Sequence, residues 1–189
     1  MDVYDAIASR RSVRHFDSKP VDRSTLERVL SATTLAPSAR NEQPWQFYVA
    51  EGATRMELGR VVSQTTVYLR EYVDSLGPEG YDRAVAWYSS LGDAPVLIAV
   101  TAPDSEDEFT ATNRMLSIGA ALENLLLAAT AEGLGACVFT FSYWVKAELT
   151  RVLSLPDASS VCCVVAVGWP SPDDRGRPER RSDVAVWLD

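Results

Sequence analysis

The spacing of apolar residues along the chain falls into helical and strand-like stretches. Residues 2–11 place Val3, Tyr4 and Ile7 at helical spacing and predict a short helix. Lys19-Pro20 marks an extended break. Asp22 reads as an N-cap for a helix to about residue 34, with Leu26, Val29 and Leu30 inward. Residues 35–44 hold two prolines and small polar residues, so a loop is expected there. The aromatic and β-branched run at 45–50 predicts a strand, and 53–62 a helix. Residues 64–91 carry Tyr68, Tyr72, Tyr81, Trp87 and Tyr88 at roughly helical spacings, broken by Gly77-Pro78. Two helices joined by a turn are expected. The run at 95–101 reads as a buried strand. The longest helix is predicted from Phe109 or Thr110 to Glu132, apolar nearly all round at 118–131 and therefore central. Gly133 ends it. A strand at 134–140, a helix at 143–153, a strand at 161–168, a Pro- and Arg-rich loop at 170–181 and a short strand at 184–187 complete the chain.

About five strands with half the chain helical predict an α+β layered fold in one domain over 1–189. A simple βαβ repeat is not expected, and no G-x-G-x-x-G follows the first strand. The 189 residues suffice for a sizeable core, and 47% hydrophobic with 23% charged residues is ordinary for a globular domain. The net charge of -8 argues against nucleic acid as the main partner. No signal-like run opens the sequence and no stretch reads as a membrane span, so a cytoplasmic protein is expected. Cys137, Cys162 and Cys163 lie in apolar strand-like runs and read as small core residues in a reducing compartment.

Acid–base and metal chemistry find little support. His15 is the single histidine, no cysteine pair has metal spacing, and no metal site is expected. Catalysis by this chain would therefore rest on a cofactor. Two basic islands interrupt the acidic chain: Arg10, Arg11 and Arg14, then Arg175, Arg177, Arg180 and Arg181. If the chain is extended after the first helix, Arg10, Ser12 and Arg14 point one way, as a phosphate clamp requires. The other reading is cations at a helix C-terminus. In the loop, Ser38, Arg40, Asn41 and Gln43 are turn formers or donors and acceptors for a planar heterocycle.

Together, R-R-S-V-R-x-F at 10–16 and A-P-S-A-R-N-E-Q-P-W at 36–45 resemble the nitroreductase family. Asp93-Ala94-Pro95, the 119–129 helix, Gly133-Leu134-Gly135 and Val167-Gly168-Trp169-Pro170 extend the likeness over nearly the whole chain. The resemblance implies a central, mostly antiparallel sheet flanked by helices, and a homodimer binding FMN at the subunit interface. It implies that hydride passes from NADPH or NADH through FMN to a small organic acceptor such as a nitroaromatic or quinone, with ping-pong kinetics. Arg10, Arg11, Ser12 and Arg14 resemble phosphate and ribityl ligands. Pro37, Ser38 and Asn41 resemble the flavin contacts from the other subunit. The backbone around Phe139, Thr140 and Phe141 resembles the segment approaching flavin N5, with Thr140 a cofactor contact. Arg180 resembles the basic residue near the C-terminus, with Arg181 or Arg177 as alternatives. Residues 63–92 are a candidate helical lid. The same scaffold also serves specialised flavin dehydrogenases, dehalogenases and non-catalytic flavin binders.

Overall fold

The computed structural model describes residues 1–172 and 179–188. Two strands with no inward–outward alternation form the centre: β2 (Val96–Pro103) and β4 (Ser159–Gly168). Such runs need cover on both faces, and they have it. Outside them lie β1 (Gln46–Ala50) and β3 (Gly135–Phe139), in the order β1-β2-β4-β3, every neighbour antiparallel. Val96, Ile98 and Val100 face a core with Val29 of α2 (Arg23–Thr33) and with Ile118, Leu125 and Ala129 of α6 (Glu108–Ala131). Leu97 and Ala99 face the other core, with Leu58, Val61 and Val62 of α3 (Gly52–Ser63) and Leu149 of α7 (Lys146–Leu153). The result is a helix–sheet–helix sandwich. Full burial of one such aliphatic side chain is worth about 1.5–3 kcal/mol.

The register fixes where the two sequence motifs go. Gln46 opens β1 opposite Thr101, whose partner across β2 is Val161 at the start of β4. Gly135 opens β3 opposite Gly168, at the end of β4. The loop before β1 and the start of β3 therefore occupy diagonally opposite corners, on edges three strand spacings or about 14 Å apart.

Several expectations change in detail. Residues 64–91 form a 3-10 coil at Gln64–Tyr72, then α4 (Val73–Leu76) and α5 (Pro78–Ser90). The break falls at Gly77-Pro78, where Gly77 takes φ 68° and Pro78 sits at the first helical positions. The helix expected at 143–153 begins as a 3-10 turn, Phe141–Val145, before α7. The first helix, α1 (Val3–Ser9), buries Ala6 and leaves Val3, Tyr4 and Ile7 exposed. The strand expected at 184–187 is unpaired: Val186 is 85% and Trp187 90% exposed, and the sheet has four strands among the described residues. A strand needs a neighbour for its backbone groups, and this segment has none among the described residues. Within one chain α6 buries Ser117, Ile118, Ala121, Leu125 and Ala129, with Leu122, Leu126 and Leu127 half-buried beside them and Met115 and Leu116 exposed nearer its start.

Candidate functional site

Residues 10–17 lead from α1 along the free edge of β3. Arg10 leaves the helix with ψ 131°, the start of an extended run. Ser12 pairs in parallel with Ala136, and the Val13 N–H donates to the Ala136 carbonyl at 3.0 Å. Val13 and Phe16 are buried. The run lies close to the sheet because two neighbours lack side chains. A Cβ at Gly135 would stand 2.6 Å from Val13, and one at Gly92, where φ is +64°, would stand 1.9 Å from the Arg14 carbonyl oxygen. That same oxygen accepts from Trp87 Nε1 at 2.8 Å, tying α5 to the basic run.

This packing makes one wall of a cleft of about 930 Å³, at the upper end of the range for small-molecule sites. Arg11, Ser12, Arg14 and His15 line it from the basic run, Val138 and Phe139 from β3, and Trp87 and Tyr88 from α5. Arg180 reaches the same cleft. The first island and Arg180 of the second thus meet around one space. Arg175 and Arg177 lie outside the described residues, and Arg181 pairs with Asp183. Arg10 differs from its neighbours: its Nε lies 3.3 Å from Glu123 Oε1 on α6, without hydrogen-bond geometry.

The apolar side of the cleft is aromatic. Phe139 packs edge-on against Trp87 and Tyr88 at 5.8 and 6.2 Å, and Tyr88 meets Phe141 at 5.3 Å. Burial pushes the Tyr88 hydroxyl up to about 12, Cys137 adds to the shift, and Arg14 opposes it. The phenol thus stays a neutral donor at ordinary pH. Thr140, exposed at the end of β3, accepts from the Tyr143 N–H at 2.9 Å, which turns the chain into the next 3-10 helix.

Pro37, Ser38 and Asn41 occupy the other corner. Arg40, Asn41 and Gln43 all take positive φ, 53°, 56° and 49°, and such local strain is held only where surroundings over-determine it. Here they do. Ser38 Oγ accepts from the Gln43 N–H at 3.0 Å, and Ser117 Oγ accepts from the Ala39 N–H at 3.2 Å. Arg114 of α6 grips Glu42 at 2.6 Å, with both side chains largely buried. Ala36 and Trp45 pack on Ala121. Glu42, Gln43, Pro44 and Trp45 of this loop line a different cleft from the one that Arg14 lines.

The sequence reading missed Arg83 and Asp93, which also line the cleft. The signal available was Arg83 one helical turn before Trp87. Among the described residues there is no cluster of potential metal ligands, and no helix long and apolar enough to cross a membrane. Cys137 and Cys163 are buried and Cys162 half-buried, all without disulfides.

These features have counterparts in known proteins. A 5,6-dimethylbenzimidazole synthase of Rhodospirillum rubrum is 33% identical over 171 residues, 85% of this chain and 78% of the relative. A nitrobenzene nitroreductase of Ectopseudomonas oleovorans is 28% identical over 212 residues, 96% of this chain and 91% of the relative. The crystal structure of the FMN and NADPH-dependent nitroreductase NfnB from Sphigopyxis sp. strain HMH superposes over 100% of both chains with a TM-score of 0.83 at 22% identity. The model of the family described as Nitroreductase family matches residues 7–169. The chain belongs to the nitroreductase family.

Proposed function

We propose that two copies of this chain form an oxidoreductase that holds FMN between them, draws electrons from NADPH or NADH, and reduces a small organic acceptor such as a nitroaromatic or quinone. The observation that carries this reading is the convergence of Arg11, Ser12, Arg14 and Arg180 on one cleft in a chain of net charge -8. Such a donor set fits a phosphomonoester, because guanidinium forks and a hydroxyl match its oxygens. The aromatic side formed by Trp87, Tyr88 and Phe139 fits a flat ring. When bound, FMN supplies two-electron redox chemistry between nicotinamide and acceptor.

The chain's own residues then have separate tasks. Arg11, Arg14 and Arg180 hold the phosphate, and Ser12 donates to it or to the ribityl chain. Arg10 is a phosphate ligand by family likeness, with its Nε 3.3 Å from Glu123. The backbone of 139–141, Thr140 above all, borders the ring. Trp87 and Tyr88 exclude water from one side, and α5 with its neighbours over 63–92 acts as the lid. Pro37, Ser38 and Asn41 contact the ring from the second copy. Their placement at the opposite corner of the sheet is what favours a shared site. The exposed apolar residues of α1 and α6, with Val186 and Trp187, offer surface for such a dimer.

The test is an absorbance spectrum of the purified protein supplemented with FMN, recorded without oxygen before and after NADPH or NADH. Bands near roughly 370 and 450 nm that bleach with either nicotinamide support the reading. Bands that dithionite bleaches and neither nicotinamide touches overturn the donor assignment. A specialised activity is the second reading, favoured by the 33% identity to a protein named 5,6-dimethylbenzimidazole synthase. Formation of that compound by the reduced protein in air would replace the general reductase reading.

A further inference from the structure

Among the described residues, the phosphate reading leaves one arginine of the cleft, Arg83, without a task. Arg83 lies on α5, on a different element from the 10–15 run and from Arg180, yet lines the same space. Among the described residues, the cleft is lined by Arg11, Arg14, Arg83 and Arg180 against the carboxylate of Asp93, although acidic residues outnumber basic ones 26 to 18 in the chain. A phosphomonoester carries about two negative charges, and the arginines of the basic run with Arg180 already supply its counter-charge. Arg83 is the surplus. Its partner is Glu79 at 3.4 Å, whose side chain is 92% exposed. Such a helix-surface pair is weak and yields to a better-placed anion.

Trp87 stands one turn further on the same helix face and lines the cleft as well. Its Nε1 is committed to the Arg14 carbonyl at 2.8 Å, so the indole is held as a fixed platform. A fixed aromatic surface beside a half-exposed guanidinium at the rim matches a flat ring with an anionic substituent. Arg is the cation suited to a planar carboxylate, because both groups are forks.

We propose that Arg83 is a specificity-determining residue and that the preferred acceptor of this chain is an aromatic carboxylate, its ring against Trp87 and its carboxylate on Arg83. This rests on the oxidoreductase reading above. A carboxylate on the acceptor and the extra phosphate of NADPH are two sources of the same anionic chemistry, and the test separates them.

FMN-loaded protein is titrated by calorimetry with benzoate and with benzamide, which share the ring and differ in charge. FMN content is read by absorbance on the same samples. Wild type should bind benzoate more tightly than benzamide. Arg83→Gln should weaken benzoate about fivefold and leave benzamide within error. Arg83→Lys should fall between. Arg60→Gln, a matched charge change on α3 outside the cleft, should leave the benzoate-to-benzamide ratio alone. Equal binding of the two probes by wild type overturns the proposal. So does loss of FMN in Arg83→Gln, which would assign Arg83 to the cofactor. An Arg83→Gln effect on the NADPH-to-NADH affinity ratio, with benzoate unmoved, also overturns it by making the nicotinamide phosphate the anion. If wild type holds no FMN, the oxidoreductase reading fails, and absorbance shows this before any titration begins.

Discussion

The two corners of the sheet solve opposite problems. The corner at β3 brings cations together. It does so by removing side chains, with glycine at 92 and 135 so that an extended run can lie against the strand and present Arg11, Ser12 and Arg14 to one cleft. The corner at β1 holds a strained loop still. It adds contacts, with Arg114 on Glu42, Ser117 on Ala39, and Trp45 on Ala121, around three residues of positive φ. One corner gathers cations on a cleft and the other is a rigid polar edge. Helix α6 spans both, since Arg114 and Ser117 serve the loop while Glu123 faces Arg10. A 24-residue helix is about 36 Å long, enough to fix the two corners relative to each other in every copy.

The contrast is sharpest where backbone rather than charge does the work. Gly92→Ala places a Cβ against the Arg14 carbonyl in a left-handed conformation, and should lower stability by about 2–4 kcal/mol in urea denaturation. It should also cost FMN retention. An unchanged midpoint with full flavin would show that the basic run is not seated as described.

Removing charge from the same corner comes next. Arg14→Ala should weaken FMN binding by about 2 kcal/mol, a charge-assisted contact's worth. Arg10→Ala should cost less, because its Nε already lies against Glu123. Equal losses would mean that Arg10 is as direct a ligand as Arg14.

The loop corner should answer more gently. Arg114→Ala frees Glu42 and unpairs the carbonyls of Pro103 and Asp104. A loss of about 1–2 kcal/mol in stability is expected, with a smaller loss in FMN affinity. A larger loss in flavin affinity than for Arg14→Ala would reverse the assigned roles of the two corners.

The smallest effect concerns pH. The Tyr88 hydroxyl is raised from 10.0 to about 12 in the folded chain. The native state therefore keeps a proton that the unfolded chain gives up first. This contribution is complete below about pH 10 and is lost as pH rises towards about 12. Tyr88→Phe should show a shallower fall in stability across that window than wild type, and no difference in slope between pH 6 and 9. Parallel curves at high pH would mean that the phenol is more open to water than its ring contacts indicate.

How much of this was readable beforehand depends on whether the information is local. The runs of β2 and β4 and the length of α6 were legible, because continuous apolar stretches and a capped helical period are local signals. The polar composition of 36–45 and the basic run were legible for the same reason. The 3-10 coil at Gln64–Tyr72 was not, since its aromatic spacing also fits an α-helix. Which side of α1 faces inward was not legible either. Val3, Tyr4 and Ile7 make a plausible inner face, and the exposure of all three within one chain depends on tertiary packing. The run at 184–187 has strand composition but, among the described residues, no neighbour to pair with. Arg83 went unnoticed because a charged residue on a helix is ordinarily solvated, and only the cleft distinguishes it. Nor does any periodicity tell that the two motifs, some twenty residues apart in sequence, end on opposite corners. That fact emerges only from strand order and register together.

The central claim is that one cofactor site joins the β3 corner of one copy to the β1 corner of another. Subunit mixing tests it most directly. Arg11→Ala/Arg14→Ala and Ser38→Ala/Asn41→Ala are each prepared as a pure protein that retains little FMN, then mixed under conditions of subunit exchange, and flavin content is read by absorbance after gel filtration. In a mixed dimer one site carries both defects and the other carries none. Random exchange should therefore restore flavin to about a quarter of all sites. No recovery after exchange, with mixed dimers shown to be present, would place both motifs around a site within a single chain and contradict the account.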